Sequence, residues 1–127
     1  MKNKIVLAIT STFLVTSTAP LYAQDSDFNL TYHVERTPSK ALDLETCGSA
    51  VESSAKDAGL SVSVQHFPQQ LVLVSGGEKG HGVFTVQCIA VGDVTVSIVQ
   101  GIDYRTGKGA LGKFADDAHA ALLALRK

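Results

Sequence analysis

From Phe28 to Arg36 the chain alternates without interruption, with Phe28, Leu30, Tyr32 and Val34 on one side and Asn29, Thr31, His33 and Glu35 on the other. Period-two alternation predicts a half-buried strand. Thr37-Pro38-Ser39 ends it, and Ser39 is a candidate N-cap for a helix that runs to about Ala58 and stops at Gly59. Within that stretch Leu44, Cys47, Gly48, Val51, Ala55 and Ala58 recur at three- and four-residue steps. Such a stripe of small residues suits close approach to a sheet and puts Cys47 on or beside the buried side.

Alternation returns from Leu60 to Phe67, where Leu60, Val62 and Val64 oppose Ser61, Ser63 and Gln65. A turn at Pro68-Gln69 leads into a strand from Gln70 to Ser75, followed by the loop Gly76-Gly77-Glu78-Lys79-Gly80. A long strand from Gly82 to Val91, a tight Gly92-Asp93 turn and a last strand from Val94 to Gln100 complete the run. Phe84, Val86, Cys88 and Ala90 share one face. Between Gly109 and Lys127, Leu111, Phe114, Ala115, Ala118, Leu122 and Leu125 form the apolar side of a second helix, with Lys113, Asp116, Asp117 and Arg126 mostly toward water.

The order β-α-β-β-β-β-α with short turns predicts an α+β domain: a five-stranded, mainly antiparallel sheet with both helices on one face. The opposite face of the later strands then carries Ile89, Val91 and Val99, with either Val72 and Val74 or Leu71 and Leu73, interrupted by Thr85, Gln87, Thr95 and Ser97. Two readings stay open: scattered surface apolar residues, which are ordinary, or a contiguous patch that dimerises or receives a partner.

Upstream of these elements, Lys2 and Lys4, an apolar run from Ile5 to Val15, and Pro20-Leu21-Tyr22-Ala23 before the acidic Gln24 to Asp27 read as an export signal cleaved after Ala23. Leu21 is bulkier than the small residue preferred at its position. Interspersed Thr and Ser keep the run below the roughly 20 apolar residues of a permanent span. The expected organisation is a signal peptide, residues 1–23, and a single α+β domain, residues 24–127. The short two-lysine start looks bacterial, so the expected location is the periplasm or the secreted fraction, without membrane association after cleavage.

Composition narrows the partners. Of 127 residues, 45% are apolar and 18% charged, with 11 basic against 12 acidic and a net charge of −1. Loss of Lys2 and Lys4 with the signal leaves nine basic against twelve acidic residues, a charge of −3. That balance argues against docking on nucleic acid or anionic lipid. Cys47 and Cys88 are the only cysteines, an even pair without C-x-x-C spacing, and in an oxidising compartment they are expected to form one disulfide that staples the first helix to the sheet.

The segment Gly101-Ile102-Asp103-Tyr104-Arg105-Thr106-Gly107-Lys108-Gly109 is the best candidate for chemistry. Glycines there free backbone N–H groups, Arg105, Lys108 and Lys113 add positive charge, and a helix N-terminus attracts anions. A phosphate-binding loop it is not: five residues separate Gly101 from Gly107 and Gly109 stands where Ser or Thr is required. In the bland reading Asp103 pairs with Arg105 or Lys108, and Tyr104 packs on the helix end. Residues Gly76 to Gly82 read as a hairpin tip. His33, His66, His81 and His119 lie on separate elements without metal-ligand spacing, no nucleophile elbow is present, and Asp116 and Asp117 diverge around their helix. No metal, cofactor or catalytic residue is expected.

The run Phe28 to Arg36, the strand segment Val86-Gln87-Cys88, and Gly101-Ile102-Asp103-Tyr104-Arg105 with the following Gly-Lys-Gly resemble an uncharacterised family of small exported bacterial proteins. The resemblance spans almost the whole of residues 24–127 and implies export; it carries no activity. Two functions remain. The leading one is a non-enzymatic periplasmic binding protein, inhibitor- or immunity-like in one form, which meets a protein partner or a second copy through its open sheet face or the Gly101 to Lys113 segment. The other is a small enzyme or carrier that holds an anionic ligand with Arg105, Lys108 and Lys113, His119 lying further along the same helix.

Overall fold

A computed structural model describes residues 27–126; the expected signal peptide and its cleavage point lie outside the described residues. Seven elements follow in order: β1 (Asn29–Pro38), α1 (Leu44–Asp57), β2 (Ser61–Phe67), β3 (Leu71–Glu78), β4 (Gly82–Val91), β5 (Val94–Asp103) and α2 (Ala110–Ala124). All neighbouring strands pair antiparallel in the order β1-β5-β4-β3-β2. Strands β2 to β5 therefore form a meander, and β1 closes it by pairing with β5. Both helices lie on one face, α1 over β2, β3 and β4, and α2 over β5 and β1.

The core lies in that single layer. Val72, Val74, Phe84, Val86 and Val99 from the sheet meet Val51 and Ala55 of α1 and Leu111, Phe114, Ala115, Ala118 and Leu122 of α2. Phe84 and Phe114 pack with ring centroids 4.6 Å apart and planes tilted by 55°, an arrangement aromatic quadrupoles favour. Cys47 and Cys88 are fully buried and bonded, joining α1 to β4 across a Cα–Cα distance of 6.2 Å.

Helix α1 begins later than Ser39. Asp43 is its N-cap, its Oδ1 accepting from the Thr46 N–H at 2.7 Å. That bond holds the Asp43 carboxyl below its ordinary range. Ser39 is used elsewhere: its N–H and Oγ both donate to the Asp93 carbonyl, at 2.8 and 2.9 Å, tying the end of β1 to the β4–β5 turn. Strand β3 runs on through Gly76 and Gly77, so the turn before β4 is tighter than the glycines suggest. Strand β5 likewise extends to Asp103 and absorbs the start of the glycine-rich segment.

Two strands face the other way from the expected arrangement. Gly92, at φ +59°, opens the two-residue turn into β5, a conformation that glycine adopts without strain. The turn pairs Val91 with Val94, and cross-strand partners share a face. Val94, Val96 and Ile98 therefore point away from the helices, while Thr95 and Ser97 turn inward beside Val99, which belongs to the core. Strand β1 inherits this phase through Val34↔Ile98 and Tyr32↔Gln100. Its apolar set, Phe28 to Val34, is outside, and Asn29, Thr31, His33 and Glu35 lie beneath α2.

Candidate functional site

The glycine-rich segment turns its chemistry inward. Asp103, at the end of β5, is 1% exposed, and its carboxylate accepts from three backbone N–H groups at the start of α2. Oδ2 takes Gly109 at 2.8 Å and Gly112 at 2.9 Å, and Oδ1 takes Leu111 at 2.9 Å. Gly112 is required for this approach, because a Cβ there would stand 2.9 Å from Oδ2 and 2.6 Å from Thr31 Oγ1. Burial alone would raise the Asp103 pKa; the three N–H donors and the charge of Arg105 outweigh it and hold the carboxyl below its ordinary range.

The other candidate residues do not converge on a ligand. Lys108 Nζ lies 2.7 Å from Asp116 Oδ2, and Lys113 Nζ lies 2.7 Å from Asp117 Oδ2. Tyr104 is half-exposed, and its N–H donates to the His81 carbonyl at 2.9 Å, joining this loop to the β3–β4 turn. Arg105 is exposed. The positive end of α2, the feature that makes an anion site, already holds a carboxylate.

Under α2 the polar face of β1 builds a second cluster that spacing did not announce. The His33 Nε2 lies 2.8 Å from Asp116 Oδ1, and its ring stacks on His119 with centroids 4.3 Å apart and planes 2° from parallel. Glu35 meets Arg126 at 3.3 Å. Lys108 and His33 hold Asp116 below the ordinary carboxylate range. For His119, desolvation first and the neighbouring His33 second lower the pKa, with Arg126 acting in the same sense and Glu35 and Asp116 opposing. The fold thus favours neutral His119, whose contribution to stability is present above the unfolded pKa of about 6.5 and is lost as pH falls through the folded value. Melting at pH 5.5 is expected below melting at pH 7.5, and His119→Gln narrows that gap; an unchanged gap would assign the loss to other groups.

No set of three or more His, Cys, Asp or Glu side chains among the described residues is placed to hold a metal ion. No helix among them is long and apolar enough to cross a membrane. A broad depression of about 590 Å³ opens between the β3–β4 turn and Tyr104, lined mainly by small residues such as Ser61, Ser75, Gly77 and Thr85. Glu78 and Lys79 are its charged lining residues.

The face opposite the helices is the larger feature. Register aligns its side chains in rows across the sheet: Leu30, Ile102, Val83, Gly77, Ser61; then Tyr32, Gln100, Thr85, Ser75, Ser63; then Val34, Ile98, Gln87, Leu73, Gln65; then Arg36, Val96, Ile89, Leu71, Phe67. Val94 and Val91 extend it at one end. Arg36 is its single charged position. Leu30 is 46% exposed, Tyr32 63% and Val34 56%. Apolar residues thus lie on both sides of a largely polar row, Gln100 to Ser63, on a face whose solvated counterparts are usually polar. Ile89 and Val91 were legible as members of this face; the choice between Leu71 with Leu73 and Val72 with Val74 was open until register decided it, Val99 was expected here but lies in the core, and Val96, Ile98, Ile102 and the β1 set were not foreseen, although the two-residue turn at Gly92 carried the phase.

No curated protein matches the chain. A family model does: it matches residues 27–127, from just before β1 to the last residue, and by that match the chain belongs to DUF6180, a family of unknown function.

Proposed function

We propose that this is a non-enzymatic binding protein of an oxidising compartment outside the cytoplasm, periplasmic or secreted, which works by laying the open face of its sheet against a protein. Neutralising an exported enzyme or toxin, as an inhibitor or immunity protein does, is one form of that role. The observation that carries the reading is the open face itself, five strands wide and nearly free of charge. The buried disulfide supports the compartment, because such bonds persist where thiols are not kept reduced. The alternative of an anion carrier or small enzyme built on Arg105, Lys108 and Lys113 has less support, since two of these cations pair with Asp116 and Asp117 and Asp103 fills the helix terminus.

The test is photo-crosslinking in the cells that make the protein, with the reactive side chain at position 34, 73 or 98 on the open face, or at Ser53 or Asp117 on the helices as controls. Covalent adducts from the face positions alone are the expected result. Face positions that yield no more adduct than the helix controls would overturn the reading.

A further inference from the structure

We infer that the occupant of the open sheet face is a second copy of this chain, packed face to face about a two-fold axis. The inference rests on the proposed use of that face for binding and adds the identity of what covers it.

Size comes first. Five strands about 4.8 Å apart, each contributing about eight residues at about 3.3 Å, give a face of roughly 24 by 26 Å. That is about 600 Å² in projection, and side-chain relief brings the accessible area near the roughly 800 Å² per partner of a standard interface. A peptide or small ligand would leave most of it wet.

Shape and chemistry point the same way. Sheets twist with one hand, and two copies of one sheet stack about 10 Å apart at about −30° because their twists match. A two-fold arrangement makes the same patch complementary to itself. Its centre is Ile98, Gln87, Leu73 and Ile89, and its only charge, Arg36, lies on the outer strand β1 where it stays in water at the rim. Interfaces likewise keep charge out of their centre. The polar row across the face is partly satisfied within it, since Thr85 Oγ1 donates to Gln100 Oε1 at 3.1 Å.

Sedimentation of the purified oxidised protein tests the inference. At about 10 µM, a concentration well above the dissociation constants of standard-size interfaces, the expected species is a dimer. Ile98→Lys and Leu73→Lys each place a charge at the centre and are expected to weaken the dimer about 100-fold or more. Both sites face away from the core, so far-UV circular dichroism and a cooperative melt should persist. Neither residue lies at a sheet edge, so association through the edges of β1 or β2 would survive both changes and count against the proposal. A wild-type monomer at about 100 µM would overturn it outright, whatever the variants do. If face-specific crosslinks then lead to a protein of different mass, the binding role stands and only the second copy is lost; without such crosslinks, both fall.

Discussion

Replacing Cys47 and Cys88 together with alanine is expected to lower the melting temperature by roughly 20 °C. The bond spans 41 residues of sequence, and closing a loop of that length in the unfolded chain is worth about 4 kcal/mol in the chain-entropy account. For a domain near 100 residues each kcal/mol moves the midpoint by about 4–8 °C. Net stability of such a domain is only about 5–15 kcal/mol, so the bridge is a large share of it. The local packing makes the dependence sharper. Buried on α1 are Cys47, Gly48, Val51 and Ala55, a set with little apolar area, and the disulfide fixes the helix to β4 where side-chain volume does not. Calorimetry of the alanine pair against the oxidised parent measures the effect, and reduction of the parent should reproduce most of it. Equal midpoints would show that α1 is held by packing alone.

What was legible in the sequence follows from what periodicity encodes. Alternation states which residues share a face of a strand, and it did so correctly for β1, β2 and β4. It does not state which face meets the helices. In β1 the apolar set is outside because α2 offers His119 and Asp116 to His33, and Arg126 just past its end meets Glu35, so the polar set has partners in the covered layer. No spacing rule reveals a pairing between residues 83 apart. The phase of β5, by contrast, was within reach, since a two-residue turn at Gly92-Asp93 forces Val91 and Val94 onto one side. The glycine-rich segment shows a related limit. Its residue types suited an anion site, but whether a helix terminus is open depends on where Asp103 ends up once β5 is extended to meet it.

That role of Asp103 carries the other large effect. Asp103→Ala is expected to cost about 3 kcal/mol, because it removes a charged acceptor from three N–H groups, two of them in buried bonds, and leaves those donors without a substitute. The Gly109 N-cap supplies no side-chain acceptor of its own, so nothing replaces the carboxylate at the start of α2. Asp103→Asn should cost less but not little: the amide keeps one acceptor oxygen and brings an N–H₂ group against the remaining donors. The carboxylate also sets an acid limit. Its folded pKa is lowered, so its contribution is complete above the unfolded value near 3.9 and is lost as pH falls through the folded one. Asp43 and Asp116 shift in the same direction and add to the same loss. Stability of the parent should therefore fall steeply below about pH 4, and the Asp103→Asn variant, already without the charge, should show a shallower decline over that range. Chemical denaturation at pH 7 and at pH 3.5 separates the two components: a parallel loss in parent and variant would mean that the buried carboxylate is not the group being titrated.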